Sequence, residues 1–201
     1  MAETISSSEN ALSAPFPWQG AQWTQLSRAF AVKQLAHAYL LSGCEGLGKA
    51  LFADGFARYV LCMKPIVQGA IGGLADTAVA CGSCNNCLTC GLGNHPDILT
   101  IEPGEGSKNI KIDQIRRLSE FVIRSSHSGE AKVAIIQDAH LLNANAANAL
   151  LKTLEEPNDN THVFLVSNHP GRLVATIRSR CQKLPFVVPG ADIAASWLQT
   201  I

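Results

Sequence analysis

The sequence predicts an α/β domain with a parallel five-stranded sheet covered by helices on both faces. Three observations carry this. Short apolar runs alternate with longer segments of helical periodicity, the pattern of a sheet buried on both sides. One of those runs leads directly into a glycine-rich loop, 43-GCEGLGKA-50, with a helical segment after it. The composition is globular: 201 residues, 47% apolar, formal net charge zero. That length fits one core domain plus a small appendage.

The first segment, MAETISSSENALSAP, has neither a basic start nor an apolar core. It is not a secretory signal, and residues 1–15 read as a flexible tail. Residues 18–34 carry helical periodicity, with Trp23, Leu26 and Phe30 on one face. AYLLS (38–42) is a buried strand, and 50–62 a helix. A Gly- and Cys-rich insertion follows, to about residue 94. DILTIE (97–102) is the second strand. Residues 112–124 form a helix with Ile115, Leu118 and Val122 in register. KVAII (132–136) is the third strand. Residues 143–156 form a helix striped by Ala147, Leu150, Leu151 and Leu154 and stopped by Pro157. HVFLVS (162–167) is the fourth strand, 171–178 a short helix, and CQKLPF (181–186) the fifth strand. ADIAASWLQTI opens a last helix. No apolar run approaches the roughly 20 residues needed to span a bilayer.

Gly43, Gly46, Gly48 and Lys49 match G-x-x-x-x-G-K between strand and helix, the context of a phosphate-binding loop. Backbone N–H groups at a helix N-terminus favour anions, and a lysine can reach the β/γ phosphates. A tight strand-to-helix turn would need the glycines for backbone reasons alone. The next position calls for a Ser or Thr hydroxyl on Mg²⁺, and here it is Ala50.

Of seven cysteines, Cys81, Cys84, Cys87 and Cys90 form an unbroken C-x₂-C-x₂-C-x₂-C; Cys44, Cys62 and Cys181 stand apart. An odd count with four packed together reads as a metal site rather than a disulfide framework. Thiolates favour zinc or an iron–sulfur cluster. His95 is a loop residue before Pro96 rather than a ligand. Zero net charge argues against nucleic-acid binding by bulk attraction; Lys108, Lys111, Arg116 and Arg117 could still make a local basic face. Lys152 can pair with Glu155 or Glu156 at helical spacing.

HAYLLSG before the loop, the Cys insertion, HPD at 95–97, NALLKTLEEP at 148–157 and RSRC at 178–181 occur in one order. With them, residues 18–187 resemble the AAA+ clamp loaders of bacterial DNA polymerase III, and within these the delta-prime group. In the ATP-hydrolysing relatives, gamma/tau, the third strand ends in Asp-Glu. Aligning His140, Leu141 and Leu142 puts Gln137 at the Mg²⁺ aspartate and Asp138 at the water-activating glutamate; a shift of one residue puts Asp138 at the metal position and Ala139 at the base. Either frame leaves the pair incomplete, and Ala50 removes the other metal contact. Ser167 or Asn168 stands where relatives sense γ-phosphate, here as a vestige.

The resemblance implies a non-hydrolysing stator that helps load the sliding clamp on primed DNA during replication. It implies that Arg180, in the motif Ser179-Arg180-Cys181, acts as an arginine finger in a neighbour's ATP site. Arg178 is the adjacent competitor. It also implies a structural zinc on Cys62, Cys81, Cys84 and Cys87, with Cys90 an extra thiol able to replace Cys62. The degenerate loop binds nucleotide weakly or not at all. The expected protein has no ATPase of its own, although it is a subunit of a DNA-directed DNA polymerase holoenzyme. Implied partners are gamma/tau, delta, the clamp and primer-template DNA, in the cytoplasm and away from any membrane. The expected organisation is an AAA+ domain over 16–187, a zinc module at about 62–95, and the start of a lid over 188–201, with the collar absent. The competing readings are a gamma/tau-like ATPase and a DNA-binding structural protein.

Overall fold

The computed structural model describes residues 14–68, 77–104, 106–127, 131–156 and 160–199. Residues 1–13, most of the expected tail, and Pro157, the expected helix stop, lie outside the described residues. The elements are α1 (Gly20–Ala31), β1 (Ala38–Ser42), α2 (Lys49–Leu61), β2 (Ile66–Gln68), β3 (Thr77–Val79), α3 (Asn85–Gly91), β4 (Ile98–Ile101) and α4 (Ile112–Ile123). Then follow β5 (Lys132–Ile136), α5 (Ala144–Glu155), β6 (Thr161–Ser167), α6 (Ala175–Arg180), β7 (Gln182–Pro185) and α7 (Ala191–Leu198).

The main sheet has five parallel strands in the order β4-β5-β6-β1-β7. Because side chains alternate along a strand, each strand feeds two cores. Tyr39 and Leu41 of β1 join Val133, Ile135, Phe164 and Val166 on the face covered by α1 and α2. Ala38 and Leu40 join Ala134, Ile136, Val163 and Leu165 on the face covered by α4, α5 and α6. On the first face Trp23 is fully buried, its ring 5.4–5.8 Å from those of Phe52, Phe56 and Tyr59. Its indole N–H donates to the Ala78 carbonyl at 2.9 Å, so the same residue fixes β3 to the core.

Asn143 caps α5, its side chain accepting from the Ala146 N–H at 2.8 Å. The sequence pattern left the Cys-rich insertion without elements. It contains the antiparallel pair β2–β3 and the short helix α3. The helix expected at 171–178 is a 3₁₀ turn at Pro170–Arg172 followed by α6, so Arg180, expected between a helix and the fifth strand, is the last residue of a helix. Among the described residues, no helix is long and apolar enough to cross a membrane.

Candidate functional site

The carboxyl ends of β1, β5 and β6 open on one cleft of about 200 Å³, lined by Gly46, Gly48, Lys49, Ala50, Asp138 and Asn168 among others. This is where parallel sheets place ligands. Gly43 must be glycine because a Cβ would stand 2.4 Å from the Phe186 carbonyl oxygen. Gly48 caps α2 at φ +75°, and a Cβ there would meet the Phe16 ring at 2.4 Å.

Lys49 opens α2 almost fully buried, and its ammonium donates to the Cys44 carbonyl of its own loop. Burial lowers its pKa against the pull of Cys44, Asp138 and Glu45. Asp138 occupies the left-handed region at φ 46°, and its carboxylate accepts from the Asn168 amide at 3.3 Å. Asp138, common to both alignments of the acid pair, lines the cleft together with Gln137, whereas Ala139 is fully buried. Ala50 presents a methyl where a metal-binding hydroxyl would stand. Ser167 is fully buried and its hydroxyl accepts from the His169 N–H at 3.2 Å.

A strap before α1 crosses the loop. The Gln19 amide donates to Leu47 O at 2.9 Å and Gly48 O at 3.2 Å, and the Trp18 indole to Leu47 O at 3.3 Å. Phe16 and Trp18 stack at 4.9 Å, with Trp197 of α7 edge-on to both. The sequence pattern did not reveal this strap; its only signal is the polar Gln19 beside aromatic residues.

The second constellation is made of sulfur. Cys62 follows α2, Cys81 follows β3, Cys84 caps α3 and Cys87 sits in its first turn. Their four Sγ atoms lie within 4.8 Å of one another, and Cys81 and Cys87 are 3.9 Å apart. A tetrahedral site with Zn–S near 2.3 Å has sulfurs about 3.8 Å apart, so the donor set fits such an ion with small closure.

The local field favours thiolate at two of the four sulfurs and opposes it at the other two. The Cys81 N–H donates to Cys62 Sγ and the Cys84 N–H to Cys81 Sγ, both at 3.3 Å. Burial raises the Cys81 pKa, but hydrogen bonds from Ser83, Cys84 and Cys62 outweigh it and bring it to about 6. Cys84 is lowered likewise, burial being outweighed by the Cys87 and Met63 amides. Burial drives Cys62 up, and Cys87 far up.

Cys90 is not in this group. It lies buried beside Asp54 and His95 in a separate cavity of about 290 Å³, and burial pushes its thiol up to about 11. The buried His95 accepts from the Asp97 N–H through Nδ1 at 3.1 Å.

The third feature is the end of α6. Ser179, Arg180 and Cys181 have three different environments. The Ser179 hydroxyl donates to Thr176 O at 3.0 Å. Cys181 is buried in the second core, its thiol pushed up to about 12. Arg180 lies at the surface, its side chain 36% exposed. Its guanidinium donates from Nη1 to Thr176 O at 3.1 Å and from Nη2 to Glu155 Oε1 at 2.6 Å. Glu155 thus pairs across to α6, where helical spacing had suggested Lys152. Arg178 lines a different, open groove with Ser179, Cys181 and Lys183.

A sequence profile described as "DNA polymerase III, delta subunit" matches residues 18–189. The delta-prime subunit of DNA polymerase III from Pseudomonas aeruginosa is 43% identical over 184 residues, which is 91% of this chain and 52% of that protein. The tau/gamma subunit from Haemophilus influenzae is 35% identical over 158 residues, 79% of this chain and 21% of that one. The chain spans about half the length of the delta-prime relative. A crystal structure of a gamma subunit-related protein from Thermotoga maritima superposes with a TM-score of 0.57 over 88% of this chain and 49% of that one; at 21% identity this speaks for the AAA+ type of fold alone. The chain belongs to the DNA polymerase III delta-subunit family, and within it to the delta-prime group.

Proposed function

We propose that this chain is the nucleotide-binding-like part of a clamp-loader stator, which hydrolyses no ATP itself and presents Arg180 to the ATP held by a neighbouring subunit. The observation that carries the reading is the placement of Arg180. Two of the five guanidinium N–H donors are used at the end of α6, which leaves three for phosphate oxygens on a side chain that is 36% exposed. An arginine supplied in trans stabilises charge on a transferring γ-phosphoryl group without any metal of its own. Buried Cys181 anchors the residue next to it.

The cleft at Gly43–Lys49 supports the other half. Ala50 offers no hydroxyl to Mg²⁺, and Asp138 is engaged by Asn168. Neutralising charge on a γ-phosphate requires that metal. Lys49 and the loop amides remain, so weak binding of nucleotide survives in this reading and hydrolysis does not. Cys62, Cys81, Cys84 and Cys87 would hold a structural zinc, because four thiolates leave no open position for substrate. The subunit works with gamma/tau, delta, the sliding clamp and primer-template DNA in the cytoplasm, and α7 begins its lid.

The test is ATP turnover by the purified protein with Mg²⁺. Turnover at the buffer background is expected, with or without Lys49→Ala. Hydrolysis by the wild-type chain that Lys49→Ala abolishes would overturn the reading in favour of a gamma/tau-like ATPase.

A further inference from the structure

Glu155 ends α5 and Arg180 ends α6, so the ion pair joins the last residues of two neighbouring helices. We propose that Glu155 is a positioning residue for Arg180, holding its guanidinium in the orientation in which it meets the neighbour's γ-phosphate. The inference rests on Arg180 being the finger.

A free arginine at a helix end samples many rotamers, and fixing it on arrival of a phosphate costs conformational entropy. Here two tethers on two different terminal nitrogens fix the guanidinium plane. One is the Thr176 carbonyl of the same helix, the other the Glu155 carboxylate at 2.6 Å. Each nitrogen keeps a second N–H, and Nε–H makes a third, so a fork for an anion is preformed rather than assembled. With side chains 36% and 48% exposed, the pair sits at the rim, where an incoming phosphate can approach without first unburying anything. A half-exposed pair contributes little to folding. Its consequence is therefore on the arginine's orientation more than on stability. Arg178, two residues earlier, projects from another side of α6 into the groove with Lys183 and has no part in this arrangement.

The test uses the full-length subunit assembled with its ATP-hydrolysing partners. Turnover is measured per assembled complex, and the part lost on Arg180→Ala defines the Arg180-dependent rate. Glu155→Ala should lower that part of kcat about two- to fivefold, the size expected for losing an exposed pair, with KM for ATP unchanged. Glu155→Gln, whose amide oxygen still accepts from Nη2, should restore more than half of the loss. In the Arg180→Ala background Glu155→Ala should change nothing further. An unchanged or raised Arg180-dependent rate in Glu155→Ala refutes the inference, a rise meaning that the carboxylate competes with the phosphate. An effect of Glu155→Ala that persists without Arg180 refutes it too. If Arg180→Ala itself leaves turnover intact, the finger reading fails, and this inference with it, whatever Glu155 does.

Discussion

Removing one thiol at a time separates the two cysteines that compete for the fourth metal position. In the structure Cys62, Cys81, Cys84 and Cys87 need close by only about 1 Å, from at most 4.8 Å to the roughly 3.8 Å of a tetrahedral zinc–thiolate site. Cys90 faces a different cavity. Cys62→Ala should therefore take the bound zinc from about one equivalent to near none, and Cys90→Ala should leave it near one. The stability effect follows from mass action. Free zinc at 100 times its Kd stabilises the folded state by about 2.7 kcal/mol. For a chain of this size each kcal/mol moves Tm by about 2–4 °C, so chelation should lower Tm by about 5–11 °C in the wild type and in Cys90→Ala. In Cys62→Ala chelation should shift Tm by less than about 2 °C. The assays are metal analysis after gel filtration and thermal unfolding with and without a chelator; an absorption spectrum separates colourless zinc from a coloured iron–sulfur cluster. Zinc retained in Cys62→Ala but lost in Cys90→Ala would refute the geometry, and a coloured protein would refute zinc.

Gly48→Ala should destabilise the fold by at least about 1–2 kcal/mol, the cost of a left-handed alanine at φ +75°, with more added as Phe16 is displaced. Urea unfolding checks this, and a loss under about 0.5 kcal/mol would contradict it. Stability should also fall in acid. Burial lowers the pKa values of His95, His140 and His162 below the ordinary 6.5, so between those lowered values and 6.5 the unfolded chain binds more protons than the folded one. Stability is then fully present above pH 6.5 and declines as pH drops below it; equal denaturation midpoints at pH 7.5 and 5.5 would count against this. Trp23→Ala should cost about 3–5 kcal/mol, since it empties a site among three rings and frees the Ala78 carbonyl; a midpoint shift worth less than about 1 kcal/mol would contradict the part given to Trp23 in the first core.

Much of the sheet was legible because its strands state their burial directly. AYLLS and KVAII are apolar at every position but one, and only a strand with a core on each side accepts that. The five-stranded parallel sheet between helical layers follows from such runs. The pair β2–β3 was not legible, since three residues per strand are too few to show a period of two. Helix α3 hid for a related reason: NNCLTCG has weak helix formers, and two-residue cysteine spacing reads as a loop. At the site, the glycine loop and the thiol group were visible as spacings. The separation of Cys90 from the other thiols was not, because Cys87 and Cys90 share a helix face at a spacing of three and only the tertiary fold around α3 leaves Cys90 out of the thiol group. Nor was the partner of Arg180. Helical spacing links Glu155 to Lys152, and no local pattern announces a contact with a residue 25 positions on, between the ends of two helices.

The most direct test of the central claim is Arg180→Ala in the assembled complex, with ATP turnover and assembly measured on the same sample. The account predicts that hydrolysis falls while the complex stays intact, as expected when one subunit supplies a cation to another's nucleotide. Full turnover from an intact complex lacking the Arg180 guanidinium would contradict it.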